Sequence, residues 1–484
     1  MSSKKIHNKM VWSLLRAPVI FFDSNPIGTM LTRFSRDIAI TDFLLPMLLN
    51  FLLITGFKII VTVIFIIITV PWNLITIVIV FIPMFLIRRY TRLAQSDTQR
   101  IESISKGPIN TRYSSALDGI TSIRVYGRSQ YYTEGFMHDS DLNASAKFTF
   151  NGVTRWVGMR LDFCSYAFMV TTFFIITFLK AFDGGLNKNL ASVSIQFALE
   201  FSFTLSFMIR MIGEVETLMT SSQRTIEYAE METEDELKKP GDREIWPESS
   251  DIVFKNVYMK YRPHLEPVLK NLNYHVKPGE KVGIIGRTGA GKSSIMQAIF
   301  RLVETEADSK IIIGGDDTKE LGLHCLRLNI SFIPQTPFLM SSSIRENLDP
   351  FEHHSDSQIW EVLQEVRLKE YIESLKDGLN TVITDQNVFS VGQKQLICLA
   401  RAILRKNQIL VLDEATANVD IETDSLIQKS IREKFKNCTV LTIAHRLATI
   451  SDSDTILVMH DGYLKEHGKP EHILSRVSRK ESAA

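Results

Sequence analysis

Residues 43–70 are almost wholly apolar, and residues 72–87 nearly so. No other feature of the sequence constrains the fold as strongly. Backbone placed in hydrocarbon must satisfy its own hydrogen bonds, which leaves helices or closed barrels. Crossing the hydrocarbon layer takes about 20 helical residues, and long unbroken apolar runs read as helices. The two runs, parted by Pro71-Trp72-Asn73, predict a hairpin of spanning helices whose second member continues past Ile87. A third span is predicted at 159–179 and a fourth at 190–212, with Asp183-Gly184-Gly185-Leu186-Asn187 as the outer loop between them.

The polar stretches orient these spans. In residues 88–150, Arg88, Arg89, Arg92, Arg100, Lys106, Arg112, Arg124 and Arg128 outnumber nearby acids, which places the segment in the cytoplasm. Its length predicts two helices projecting from the membrane and joined near Asp118-Gly119. The Asn143-Ala-Ser sequon then lies on the wrong side for glycosylation. Residues 12–42 read as a helix–turn–helix around Asp23-Ser24-Asn25-Pro26, kept cytoplasmic by Arg16, Arg33 and Arg36. Four spans leave both chain ends in the cytoplasm.

Charges inside the spans stand out. A cation near mid-bilayer costs about 2.5–3.5 kcal/mol on insertion scales, so Lys58 should face a partner or a wet cavity. It can also snorkel. As a pathway residue it would favour anionic solutes. Arg160, Asp162, Glu200 and Arg210 lie in or beside the last two spans, where the carboxylates can pair with the cations. Which pairs with which is open. Trp156 suits an interfacial anchor.

Composition divides the chain. Residues 1–235 read as a membrane domain, 236–250 as a linker with Pro240-Gly241-Asp242 at the boundary, and 251–484 as a soluble α/β domain. A net charge of +1 gives no case for a nucleic-acid partner. Cys164, Cys325, Cys398 and Cys438 are widely spaced, which argues against a disulfide scaffold or zinc site. The polar, basic N-terminus is no conventional signal peptide.

The chemistry concentrates in the last part. Gly286-Arg287-Thr288-Gly289-Ala290-Gly291-Lys292-Ser293-Ser294 lies between a strand-like run and a helix-like run, the context a phosphate-binding loop requires. Its glycines let backbone N–H groups converge, Lys292 can reach β- and γ-phosphates, and the Ser293 hydroxyl can ligate Mg²⁺. Residues 409–414 form an apolar strand ending in Asp413-Glu414: one carboxylate for Mg²⁺, the next to orient or deprotonate water. Tyr261 can stack on adenine or pack on the sheet. Gln335 ends a strand-like run, where its amide can meet a metal or γ-phosphate, and His445 follows another buried-strand pattern. Ser390-Val391-Gly392-Gln393 opens a helix-compatible run and is a second anion site, suited to nucleotide held by another domain.

Together these segments resemble the ATP-binding cassette transporters of subfamily C, the multidrug-resistance-associated group, and in particular their second half. The glycine loop resembles Walker A, Tyr261 the A-loop aromatic, Gln335 the Q-loop and Phe389-Ser390-Val391-Gly392-Gln393 the signature. Residues 410–414 resemble Walker B, 417–420 the D-loop with Asp420, and His445 the switch histidine. Residues 16–28 and 118–127 resemble coupling-helix regions that touch nucleotide-binding domains. Trp156 and Arg160 match positions associated with solute recognition.

The resemblance implies a multi-pass α-helical membrane domain of exporter type, with four of six spans, followed by an α/β P-loop NTPase domain. It implies ATP and Mg²⁺: Gly286, Thr288, Gly289, Ala290, Gly291, Lys292, Ser293 and Ser294 at the phosphates, with Ser293, Gln335 and Asp413 around the metal. Glu414 is the general base and His445 holds the γ-phosphate geometry. The implied partners are a complementary first half, the lipid bilayer and an organic-anion solute, with Lys58, Trp156 and Arg160 along its path. The implied location is the plasma membrane or a vacuolar or endosomal membrane. A regulatory or channel-type subunit, or an inactive truncated fragment, is the alternative.

Three departures stand beside this. The family's second half begins with two further spans, so the chain reads as a fragment or an incomplete gene model. The approach to the signature is short and has Val388 where Asn is usual. Ser222-Gln223-Arg224 replaces the usual Ser-Val-Glu-Arg.

Overall fold

The computed structural model describes residues 3–182, 188–243, 245–384, 388–414, 421–444 and 447–481. The chain divides into two compact units: residues 1–12 with 28–230, and residues 13–27 with 231–484.

In the first unit, Ile27–Thr69, Asn73–Asp118, Ser129–Leu179 and Ala191–Ala229 are long and apolar enough to cross a membrane. They match the four expected spans, and each extends beyond its apolar run. The polar helices expected between spans two and three are continuations of those spans, joined through the short helix Ile120–Val125. The expected outer loop at 183–187 lies outside the described residues.

The first span opens with two wide-turn stretches, Arg33–Asp37 and Ile40–Leu44. Such wide turns are rare and occur as single turns inside longer helices. Asp37 ends the first of them. It is 1% exposed and accepts from Arg33 at 2.8 Å and from Arg224 at 3.0 Å. The spans pack through Ile66, Val80, Met84, Leu161, Phe168 and Phe201. Between the last two, Ser165 Oγ meets Ser206 Oγ at 2.9 Å and Ser202 Oγ donates to Ser165 O at 2.9 Å, small hydroxyls bonding across a close helix contact. Phe57, Ile68, Phe81 and Phe174 remain exposed, as side chains facing lipid do.

The second unit departs from the expected partition. Residues 231–250 belong to this unit: Lys239 Nζ donates to Asp235 Oδ2 at 2.5 Å and to Lys319 O at 2.8 Å, and Asp242 Oδ1 accepts from the Gly322 N–H at 2.7 Å. Glu234 takes both forks of Arg327, at 2.7 and 2.9 Å, and Asp235 takes Arg301 at 2.7 Å. The Leu323 and His324 N–H groups donate to Glu236 O and Leu237 O, while Trp246 is buried in the main core. Residues 13–27 belong here too: Arg16 donates to Glu234 O at 2.9 Å and Asp235 O at 2.8 Å, and Ile20 packs on the main core.

Two sheets build the unit. Strands β1 (Ile252–Met259), β2 (Leu269–Val276), β4 (Lys310–Ile313) and β5 (Asp316–Asp317) form an antiparallel sheet in the order β2-β1-β4-β5. Strands β3 (Lys281–Gly286), β6 (Ile330–Ile333), β7 (Ile409–Asp413), β8 (Thr439–Ile443), β9 (Thr455–His460) and β10 (Tyr463–Gly468) form the other, ordered β10-β9-β3-β8-β7-β6. From β9 to β6 all neighbours are parallel. Parallel strands covered on both faces need continuous apolar runs, and Ile409 to Val411 are wholly buried. A second core, containing Leu339, Ile359, Leu363, Ile397 and Leu399, holds the helical part that carries Val391–Arg405.

Candidate nucleotide site

Because β3, β8, β7 and β6 are adjacent and parallel, their carboxyl ends share one edge, where loops from such sheets bind ligands. The glycine loop leaves β3, Asp413 ends β7, and Gln335 follows β6. His445 follows β8 but, with Asp420, lies outside the described residues.

The loop needs glycine for two separate reasons. A Cβ on Gly286 would sit 2.6 Å from Met459 O. Gly291, at φ +94°, is the left-handed N-cap of helix Lys292–Ile299, and a Cβ there would meet Val268 O at 3.0 Å. Lys292 is 6% exposed, and its ammonium donates back into the loop, to Gly286 O at 2.8 Å and Arg287 O at 3.2 Å. Ser293 Oγ lies 3.5 Å from Asp413 Oδ1. Gln335 Nε2 donates to Glu414 Oε2 at 2.7 Å. Glu414 has φ +44°, a rare conformation for a side-chain-bearing residue, and its N–H is fixed on Ile443 O at 3.0 Å.

Four predicted residues thus fall in two side-chain contacts, Ser293 with Asp413 and Gln335 with Glu414, while Lys292 bonds the loop's own carbonyls. Tyr261 packs its ring on the main core, the second of its two expected roles, and its hydroxyl meets Ser294 Oγ at 3.0 Å. The residues suit a magnesium nucleotide. The glycine cradle admits no side chain, a buried ammonium lies against it, and hydroxyl, carboxylate and amide oxygens are the hard donors Mg²⁺ takes.

The signature turn has its own geometry. Ser390 caps helix Val391–Arg405, with Gln393 N–H donating to Ser390 Oγ at 3.2 Å and Ser390 N–H donating to Gln393 Oε1 at 2.9 Å. Among the described residues, no hydrogen bond joins Ser390, Val391, Gly392 or Gln393 to Lys292 or Ser293. Gln395, absent from the expected set, links the two regions. It is 1% exposed, and its Nε2 donates to Pro334 O at 2.9 Å and Gln335 O at 3.3 Å. Its signal was a polar side chain at an inward position of an otherwise apolar stripe. Nearby, burial pushes the Arg401 guanidinium below its usual range, while it donates to Asn347 Oδ1 at 2.7 Å and Phe338 O at 3.1 Å.

In the membrane unit the open pairings resolve. Lys58 meets Glu200 at 2.5 Å and Arg210 meets Asp162 at 3.1 Å. Lys58 is therefore not a free pathway cation. Arg160 lies over the Trp156 ring at 4.8 Å, so Trp156 carries a cation–π contact rather than standing alone as an anchor.

The family model for the ABC transporter transmembrane region matches residues 1–205, and that for the ABC transporter matches residues 269–417. The chain is 45% identical over 478 residues to human ATP-binding cassette sub-family C member 4, covering 98% of this chain and 36% of that protein. It is 38% identical over 480 residues to rat sub-family C member 2, covering 98% and 31%. With the metal resistance protein YCF1 of Saccharomyces cerevisiae it shares 39% over 479 residues, again 98% and 31%. The chain spans about a third of the length of the curated relatives it matches.

Proposed function

The chain belongs to the ABC transporters, within subfamily C, and from that premise we propose that it is the ATP-hydrolysing half of an exporter of amphipathic organic anions. The observation that carries the reading is the joint placement of Lys292, Ser293, Asp413, Gln335 and Glu414 beside one loop. Groups suited to holding phosphate, ligating a metal and activating water are all among them.

ATP is the substrate. Lys292 exchanges the loop carbonyls it now holds for phosphate oxygens, and Tyr261 offers its ring to the adenine. Ser293, Asp413 and the amide oxygen of Gln335 would hold Mg²⁺, which would supply positive charge against the phosphates. Glu414 takes a proton from the attacking water, its carboxylate oriented by Gln335. Ser390 and Gly392 serve nucleotide bound by a complementary half, whose own signature closes over this loop. Closure and hydrolysis switch the membrane half between inward- and outward-facing forms. The multi-pass protein lies in the plasma membrane or a vacuolar or endosomal membrane, with the nucleotide unit in the cytoplasm.

The test uses the chain assembled with a complementary half. Lys292→Met is expected to lose nucleotide binding. Glu414→Gln is expected to keep binding and lower phosphate release by about 100-fold or more. Unchanged steady-state hydrolysis in Glu414→Gln would refute the assignment. ATP-dependent vesicle uptake of a labelled glucuronide tests the export reading, and its absence alongside intact hydrolysis would favour a regulatory subunit.

A further inference from the structure

The span charges are paired across helices. Arg88 meets Glu216 at 2.8 Å and Arg210 meets Asp162 at 3.1 Å, both at span ends where polar surroundings begin. Lys58 and Glu200 differ. Lys58 lies midway along Leu45–Thr69, flanked by Phe57, Ile59 and Ile60, and Glu200 is set among Leu199, Phe201 and Phe203.

Two features show how this pair can act. Its side chains are 50% and 38% exposed, so another group can reach them without parting the helices. Two ions left half open to hydrocarbon are unfavourable, so the face they share is one that water or a polar group occupies. Beside them, on the same two helices, the Phe65 and Phe197 rings pack against each other, tilted by 37° with centroids 4.3 Å apart. Phe197 precedes Glu200 by one turn and Phe65 follows Lys58 by about two, so rings and charges share a face. An aromatic surface next to a cation accepts the body and the charge of one amphipathic anion.

We propose that Glu200 is a tethered counter-ion that decides which anions the pathway accepts. While no solute is bound it neutralises Lys58, and a solute is held by taking Lys58 from it. The proposal rests on the organic-anion reading above. A carboxylate tethered at contact distance acts at high effective concentration, so a small inorganic anion competes poorly. An amphipathic anion adds burial against Phe65 and Phe197 and so displaces the carboxylate. Lys58 alone would attract any anion; with Glu200 it selects for those with an apolar body.

The experiment is binding of carboxyfluorescein, an amphipathic organic anion, to the chain in nanodiscs with its complementary half, followed by anisotropy. Glu200→Gln is expected to bind the dye about tenfold more tightly and to make binding sensitive to chloride competition. Lys58→Gln is expected to lose binding. A merely structural pair gives the opposite sign, since loosening the helices weakens binding. Should Glu200→Gln fold poorly, the double variant Lys58→Glu with Glu200→Lys restores the pair and should bind as the unaltered protein does. Equal or weaker binding by well-folded Glu200→Gln overturns the counter-ion role alone. Absence of organic-anion binding in the unaltered protein overturns the organic-anion reading with it.

Discussion

Gly291 shows how much of the site a single residue can decide. At φ +94°, with Val268 O where a Cβ would approach, alanine is strained by conformation and by contact together. Gly291→Ala is expected to cost about 1–3 kcal/mol, seen as a lower melting temperature, with loss of nucleotide binding. The need for glycine was legible, because the spacing of Gly286, Gly291 and Lys292 is a local pattern that backbone geometry dictates. Glu414 was legible as a carboxylate after an apolar strand. Its left-handed backbone and its hold on Gln335 were not, since both depend on how β6, β7 and β8 sit side by side. The same limit hid the partner of Lys58. Helix periodicity says which face a residue takes, whereas the register between two distant spans needs their packing.

At the level of elements, the segment after the fourth span shows how composition can mislead. Charged and lacking long apolar runs, it resembles an open linker, yet it is fixed through Glu234, Asp235 and Trp246. A paired charge and a solvated one look the same in a sequence. Burial works against the Asp235 carboxylate, but hydrogen bonds from Lys239 and Arg301 outweigh it and hold its carboxyl below the usual range. A depressed carboxyl adds stability that is complete above its ordinary value of 3.8 and fades as pH falls through the lower folded value. Acid titration followed by circular dichroism should therefore show the unit weakening below that point. Asp235→Asn should be less stable at neutral pH, with a shallower acid dependence. Arg301, 7% exposed, also donates to Thr318 O at 3.1 Å and Leu321 O at 3.3 Å. Removing it leaves Asp235 to Lys239 and strands both carbonyls, so Arg301→Leu should cost about 1–3 kcal/mol in urea denaturation.

For the whole molecule, the spans and the parallel sheet were legible because each rests on a long or repeated pattern. The membership of residues 13–27 in the second unit was not legible in their composition; only the resemblance of 16–28 to a coupling region set them apart. Ser390 belongs at this scale, since its proposed ligand lies on another half. Ser390→Ala is expected to leave labelled-ATP affinity of this chain's own loop within about twofold, while lowering hydrolysis of the assembly by about tenfold. Equal loss of both would return Ser390 to a purely local role as helix cap.

The divided second unit carries a consequence for how the protein is made. Residues 13–27 leave the ribosome before the four spans, whereas Glu234, Asp235 and the core surface under Ile20 are translated only after them. Arg16 and Ile20 must therefore wait through the whole of membrane insertion before they find their seat. Closing so long a loop is slow compared with local helix formation, and the unfilled seat exposes apolar surface meanwhile. A quality-control system that reads exposed apolar surface would have its longest opportunity here, in a protein whose other elements had already formed.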